Sequence, residues 1–138
     1  MSLSGGNILL ASAAAAALAM VLNRFIGRLG WPGVAVYGPF CEEWIKSGSA
    51  IIFGVSVPGT HIIFGLLEAA GDCLWGGRMR FWAALFGVAA HTLFGMVTFL
   101  LLGSGYPVYL AVSGAVVAHM AWNIAVLRLS ALKRTTRG

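Results

Sequence analysis

The chain has four acidic residues, Glu42, Glu43, Glu68 and Asp72, and all four lie in segments that otherwise read as membrane-spanning helix. A carboxylate in hydrocarbon costs several kcal/mol unless it faces a protein interior and finds a partner, so an intramembrane ionisable group points to function by default. Lys46 shares the segment of Glu42 and Glu43, and His91, His119 and Asn123 fall in later apolar segments. Close carboxylates beside imidazole and amide groups are an arrangement suited to acid–base work. Glu42 and Glu43 have a single lysine to balance them, and two close carboxylates that need not both ionise suit such work.

The segments that must position these groups follow from composition. Of 138 residues, 59% are hydrophobic and 9% charged, against about 25% charged in a soluble domain. The chain therefore reads as an all-α, polytopic membrane bundle, with residues 1–138 forming a single transmembrane helical domain. The length admits about five spans of ~20 residues, placed at approximately 7–25, 34–55, 60–75, 79–102 and 106–129. Arg24 to Gly33 reads as a loop, Ser56 to Gly59 and Gly103 to Gly105 as turns, and Gly76-Gly77-Arg78 as another turn. The Ala13 to Ala17 run reads as a helix-packing face.

Charge sets the orientation. Arg24 and Arg28 lie in the first loop, Arg78 and Arg80 in the third, and Arg128, Lys133, Arg134 and Arg137 at the C-terminal end. The second and fourth loops and the N-terminal tail have no basic residue, so the positive-inside rule gives N-out and C-in with five spans. No Lys or Arg precedes the first apolar segment, which reads as a retained span rather than a signal peptide. Trp31, Trp75, Trp82 and Tyr106 fall near span ends, as interfacial aromatics do. The net charge of +5 fits topology and anionic lipid rather than nucleic acid, since no basic stripe alternates with aromatics. Cys41 and Cys73 form neither a disulfide framework nor a metal-binding pair.

Depth and facing agree. At 1.5 Å per residue, Glu42, Glu68, His91 and His119 lie roughly 10–16 Å from the inner ends of their spans. Helices that alternate in direction thus bring them to one stratum in the inner half of the bilayer. Glu42 and Lys46, Glu68 and Asp72, and His119 and Asn123 are i,i+4 pairs and share faces. Gly87, His91 and Gly95 make a small-His-small stripe that admits a close neighbour. Some of these residues also have plain structural readings: Lys46 as counter-ion of Glu42 or Glu43, Asp72 paired to Arg78 or Arg80, and His61 at the outer interface.

The pattern resembles the CPBP (CAAX-protease and bacteriocin-processing) superfamily of intramembrane proteases, closest to its PrsW branch. The likeness rests on Glu42-Glu43-Trp44-Ile45-Lys46, on Gly65-Leu66-Leu67-Glu68, on a single His91 in a later helix, and on His119-Met120-Ala121-Trp122-Asn123. The family motif has Phe where this chain has Leu67, often an aromatic where it has Asp72, and usually more helices. The resemblance implies a glutamate-dependent endopeptidase, with no obligatory metal or other cofactor, acting on a peptide or membrane-protein substrate near the inner leaflet of a prokaryotic cytoplasmic membrane. It implies Glu42 as general base, His91 holding the attacking water, His119 and Asn123 donating to the oxyanion, and Glu43, Lys46 and Glu68 in support.

Other readings use the same groups. Glu42, Glu43, His91 and His119 form a two-carboxylate, two-histidine set for zinc, though no His-Glu-x-x-His is present. A small non-catalytic carrier, proton relay or binding protein would also keep buried Glu and His. Haem ligation by His91 and His119 sits poorly beside carboxylates.

Overall fold

The structure is a computed structural model that describes residues 5–75 and 80–135. The side chain of Asp72, and with it any pairing to Arg78 or Arg80, lies outside the described residues. Among the described residues the chain is helical apart from short turns and has no strand: α1 is Gly5–Ile26, α2 Gly38–Ile52, α3 Val57–Trp75, α4 Arg80–Gly103 and α5 Val108–Thr135. Three stretches, Asn7–Leu29, Ala84–Gly103 and Val108–Leu132, are long and apolar enough to cross a membrane.

The short α2 lies at the centre. It packs against α1, α3, α4 and α5, while α1 also meets α3, α3 meets α4 and α4 meets α5. The sequence explains this position. Gly38, Pro39, Glu42, Glu43, Lys46, Ser47 and Ala50 are buried, a stripe too polar for lipid, whereas the other helices put large apolar side chains outward. On α1 the buried face is Ala11, Ala15 and Ala19, with Ser12 beside it. That i,i+4 stripe replaces the expected Ala13 to Ala17 face, because a contiguous run winds around a helix: of it Ala15 is buried, Ala16 half-buried beside it, and Ala13, Ala14 and Ala17 are exposed.

The first connection is more helical than the expected loop. A 3₁₀ turn spans Gly27–Leu29, and a π-helical stretch, Gly33–Tyr37, runs straight into α2. Proline at the second position of α2 ends the π register. In the π stretch the Gly38 N–H bonds to the Gly33 carbonyl, and the next donor in that register would be Pro39, which has no N–H. The Val34 carbonyl is thereby released, and α5 uses it. Gly54 and Gly105, both at positive φ, turn the chain after α2 and α4, a backbone state that glycine enters without a Cβ penalty.

Helix α3 begins at Val57, about one turn before the expected start. Its proline stands in the first turn, where a missing N–H costs nothing. The shift carries His61 into the bundle. His61 is fully buried, not interfacial, because Gly95 of α4 has no side chain and the two helices close over the ring.

Candidate functional site

Glu42 and Glu43 are neighbours in sequence but have different surroundings. Glu43 has no solvent exposure. Its Oε1 accepts from Lys46 Nζ at 2.6 Å and from His119 Nδ1 at 2.9 Å. Glu42 is 3.6 Å from the same ammonium, and its Oε1 accepts from the Asn23 amide of α1 at 2.6 Å. The helix itself makes this division. Lys46 is one residue nearer in register to Glu43 (i,i+3) than to Glu42 (i,i+4), and the adjacent carboxylates point about 100° apart around the axis. Glu43 turns to the dry centre and Glu42 to the cavities.

Two cavities meet at Glu42. One, of ≈ 220 Å³, is lined by Glu42, Glu68, His91, Phe94, His119 and Asn123 among others. The other, of ≈ 180 Å³, is bounded by Asn23, the Gly33–Val34 backbone, Glu42 and Asn123. The side chains singled out from sequence therefore converge on one chamber, with Glu43 and Lys46 behind its wall.

His91 is held at both nitrogens. The Lys46 ammonium has no lone pair, so it donates to His91 Nδ1 across 3.0 Å. That leaves Nε2 to donate to Glu68 Oε2 at 2.5 Å. Both ring nitrogens of His91 are thus engaged by protein groups, and the half-exposed Glu68 side chain lines the same cavity. His119 is different. Its Nδ1 serves Glu43, and Nε2 is the nitrogen that Glu43 does not engage. Asn123 gives one amide N–H to the released Val34 carbonyl at 2.9 Å. The same –NH₂ group has a second N–H, and Asn123 borders both cavities.

Aromatic rings back the charged groups. The Lys46 ammonium lies 4.6 Å from the centroid of Phe64, a cation–π arrangement. Phe94 stacks on His119 at 4.6 Å between centroids and 19° between planes. His91 and His119 are perpendicular, with centroids 5.6 Å apart.

For metal binding, the group with the right separations differs from the expected one. Ligand atoms of Glu42, Glu68 and His91 lie within 4.8 Å of one another. Glu43 and His119 are turned toward each other instead. The donor types suit zinc, but Lys46 stands 3.6 Å from Glu42 and 3.0 Å from His91. A divalent ion there would have to displace that ammonium.

Two polar residues of the site are not expected there from sequence: Asn23 is not singled out, and His61 reads as lying at the outer interface. Asn23 sits beside Arg24 at the end of an apolar run and looks interfacial; its partner is nineteen positions away. His61 contacts Ser47 Oγ through Nε2 at 3.2 Å, and its Nδ1 is 3.7 Å from Glu43 Oε2. A signal for His61 was present: His61-Ile62-Ile63-Phe64-Gly65 and His91-Thr92-Leu93-Phe94-Gly95 repeat one His-x-x-Phe-Gly pattern.

Comparison with protein-family models, with curated proteins and with solved structures gives no match.

Proposed function

We propose that this chain is an intramembrane endopeptidase of the glutamate type, resembling the PrsW branch of the CPBP superfamily, with five spans, the N-terminus outside and the C-terminus in the cytoplasm. The observation that carries this reading is the asymmetry of the glutamate pair. Glu42 borders the chamber with one amide donor and a distant ammonium, while Glu43 is enclosed and holds both Lys46 and His119 through Oε1.

In this reading a water in the chamber gives its proton to Glu42 and its oxygen attacks the substrate carbonyl. The oxyanion receives the second amide N–H of Asn123, and His119, with its proton on Nδ1 toward Glu43, offers Nε2 to the chamber as an acceptor that orients the attacking water. A preorganised donor such as the Asn123 amide supplies about 3–4 kcal/mol of transition-state stabilisation. Glu42 then returns its proton to the leaving amine. Lys46 and Glu43 fix the geometry from behind, and His91 with Glu68 forms the opposite wall.

The test is cleavage of a panel of transmembrane-segment fusions, reconstituted in liposomes with purified protein. Wild type cleaves at least one, and Glu42→Gln, which keeps the Asn23 contact but removes the base, does not. Equal cleavage by both would overturn the reading. A zinc-dependent variant of the same chemistry has one observation in its favour, the mutual proximity of Glu42, Glu68 and His91, and is separated by chelation.

A further inference from the structure

Helices α3 and α4 form an antiparallel hairpin in which each glycine of the repeated pattern seats the histidine of the other. A Cβ on Gly65 would lie 3.3 Å from His91 Cβ, and one on Gly95 would lie 2.7 Å from His61 Cβ. The phenylalanines are used alike, Phe64 beneath Lys46 and Phe94 beneath His119. The hairpin thus offers α2 two imidazoles, His91 to Lys46 and His61 to Ser47. The copies diverge three residues after the glycine, where α3 has Glu68 and α4 has Thr98. His91 is paired with Glu68 of the hairpin itself. The carboxylate that faces His61 belongs to α2: it is Glu43.

That contact joins two groups that have no other use. Glu43 Oε2 and His61 Nδ1 are both buried and neither has a hydrogen-bond partner among the described residues. Leaving a buried polar atom unpaired costs about 1–3 kcal/mol, so two such atoms 3.7 Å apart are informative. The Ser47 hydroxyl can donate to His61 Nε2, which places the ring proton on Nδ1, toward Glu43. On the other side of the carboxylate, His119 Nδ1 donates to Oε1. The His61 Nδ1–H thus faces Glu43 Oε2 across a 3.7 Å gap, while Oε1 of the same carboxylate is held by His119.

We propose that His61 is a positioning residue of the site, which fixes the Glu43 carboxylate so that Glu43 holds His119 with its proton on Nδ1 and Nε2 left for the chamber; the catalytic part of this inference rests on the peptidase reading above. His61 borders neither cavity at Glu42. It acts through Glu43, as the group behind a ligand or base sets its tautomer.

The tautomer can be read without a substrate. Protein with ¹⁵N-labelled histidine in nanodiscs should give a His119 signature of a single Nδ1–H form. His61→Phe keeps ring volume but removes the donor, and His119 should become a mixture of tautomers. His61→Gln, whose amide can donate to Oε2, should restore the single form. Ser47→Ala, a smaller change, should loosen it in the same direction as His61→Phe. Against a cleaved substrate, His61→Phe should lower kcat about a hundredfold, the scale of a misplaced catalytic group, with KM unchanged and recovery in His61→Gln. A His119 tautomer unmoved in folded His61→Phe, or unmoved in Ser47→Ala should the phenylalanine variant not fold, overturns the inference. If wild type cleaves nothing, the peptidase reading falls, and the spectra still decide whether His61 governs His119.

Discussion

The side-chain amide of Asn23 donates to Glu42 Oε1 at 2.6 Å, and this bond ties α1 to the chamber. The first helix, apolar for most of its length, thereby contributes a residue to the candidate base. Hydrogen bonds to charged groups contribute about 1.5–3 kcal/mol. Asn23→Ala should therefore reduce cleavage by releasing Glu42. Asn23→Asp should abolish it, since a second carboxylate in that place repels the first. Rates in reconstituted liposomes check both, and equal activity in the two variants would contradict the contact.

The two adjacent glutamates should separate chemistry from stability. Glu42→Gln should leave the unfolding midpoint in detergent almost unchanged while cleavage disappears. Glu43→Gln should lower stability by about 3–5 kcal/mol, because it strips a buried ammonium of its closest partner. A Glu43→Gln protein as stable as wild type would show that Lys46 is balanced by Glu42 instead.

Lys46→Met should be as damaging as Glu43→Gln, for it leaves the carboxylate buried and unbalanced. The double variant should recover much of the loss, because replacing both members of a buried pair is often near neutral. A double-mutant cycle measures this coupling. Additive losses would mean that the 2.6 Å pair contributes little to the fold.

Glycines on one stripe of α4 should differ in tolerance. Gly95→Ala brings a methyl against His61 Cβ and Cγ and should cost about 1–3 kcal/mol by overpacking. Gly87→Ala meets nothing within 4 Å and should be neutral or gain about 0.5–1 kcal/mol from helix propensity. Thermal unfolding of the two variants side by side gives the comparison.

Dialysis against a chelator should leave cleavage unchanged. Added zinc should inhibit by drawing together Glu42, Glu68 and His91, and Glu68→Gln should relieve that inhibition. Loss of activity on chelation, restored by zinc, would favour the metal-dependent alternative.

Much of the site was legible because it is written in local spacing. Glu42, Glu43 and Lys46 on one helix, and His119 with Asn123 on another, follow from helical periodicity alone. Convergence on one chamber was expected from similar distances along helices that alternate in direction, and Glu42, Glu68, His91, His119 and Asn123 do line one cavity. What escaped the sequence depends on contacts between helices. The inequality of Glu42 and Glu43 begins in the local register of Lys46, but it is completed by Asn23 and His119, neither of which is near them in sequence. The burial of His61 needed an earlier start of α3 and a glycine in the right register on α4. The Asn123 contact needed a backbone carbonyl released by Pro39, an effect that residue spacing within α5 does not reveal. The π-helical entry to α2 was likewise hidden, since Pro32 and Gly33 read as loop residues.

The length of α5 has a mechanical consequence. The helix continues without a break from His119 to Thr135, a stiff rod of about 24 Å. Lateral force applied at its far end, by a docked protein or a fused tag, is not absorbed by a flexible joint. It would arrive as tilt at the two side chains that grip Glu43 and Val34, so a tag fused there should disturb the chamber more than one fused after a flexible joint.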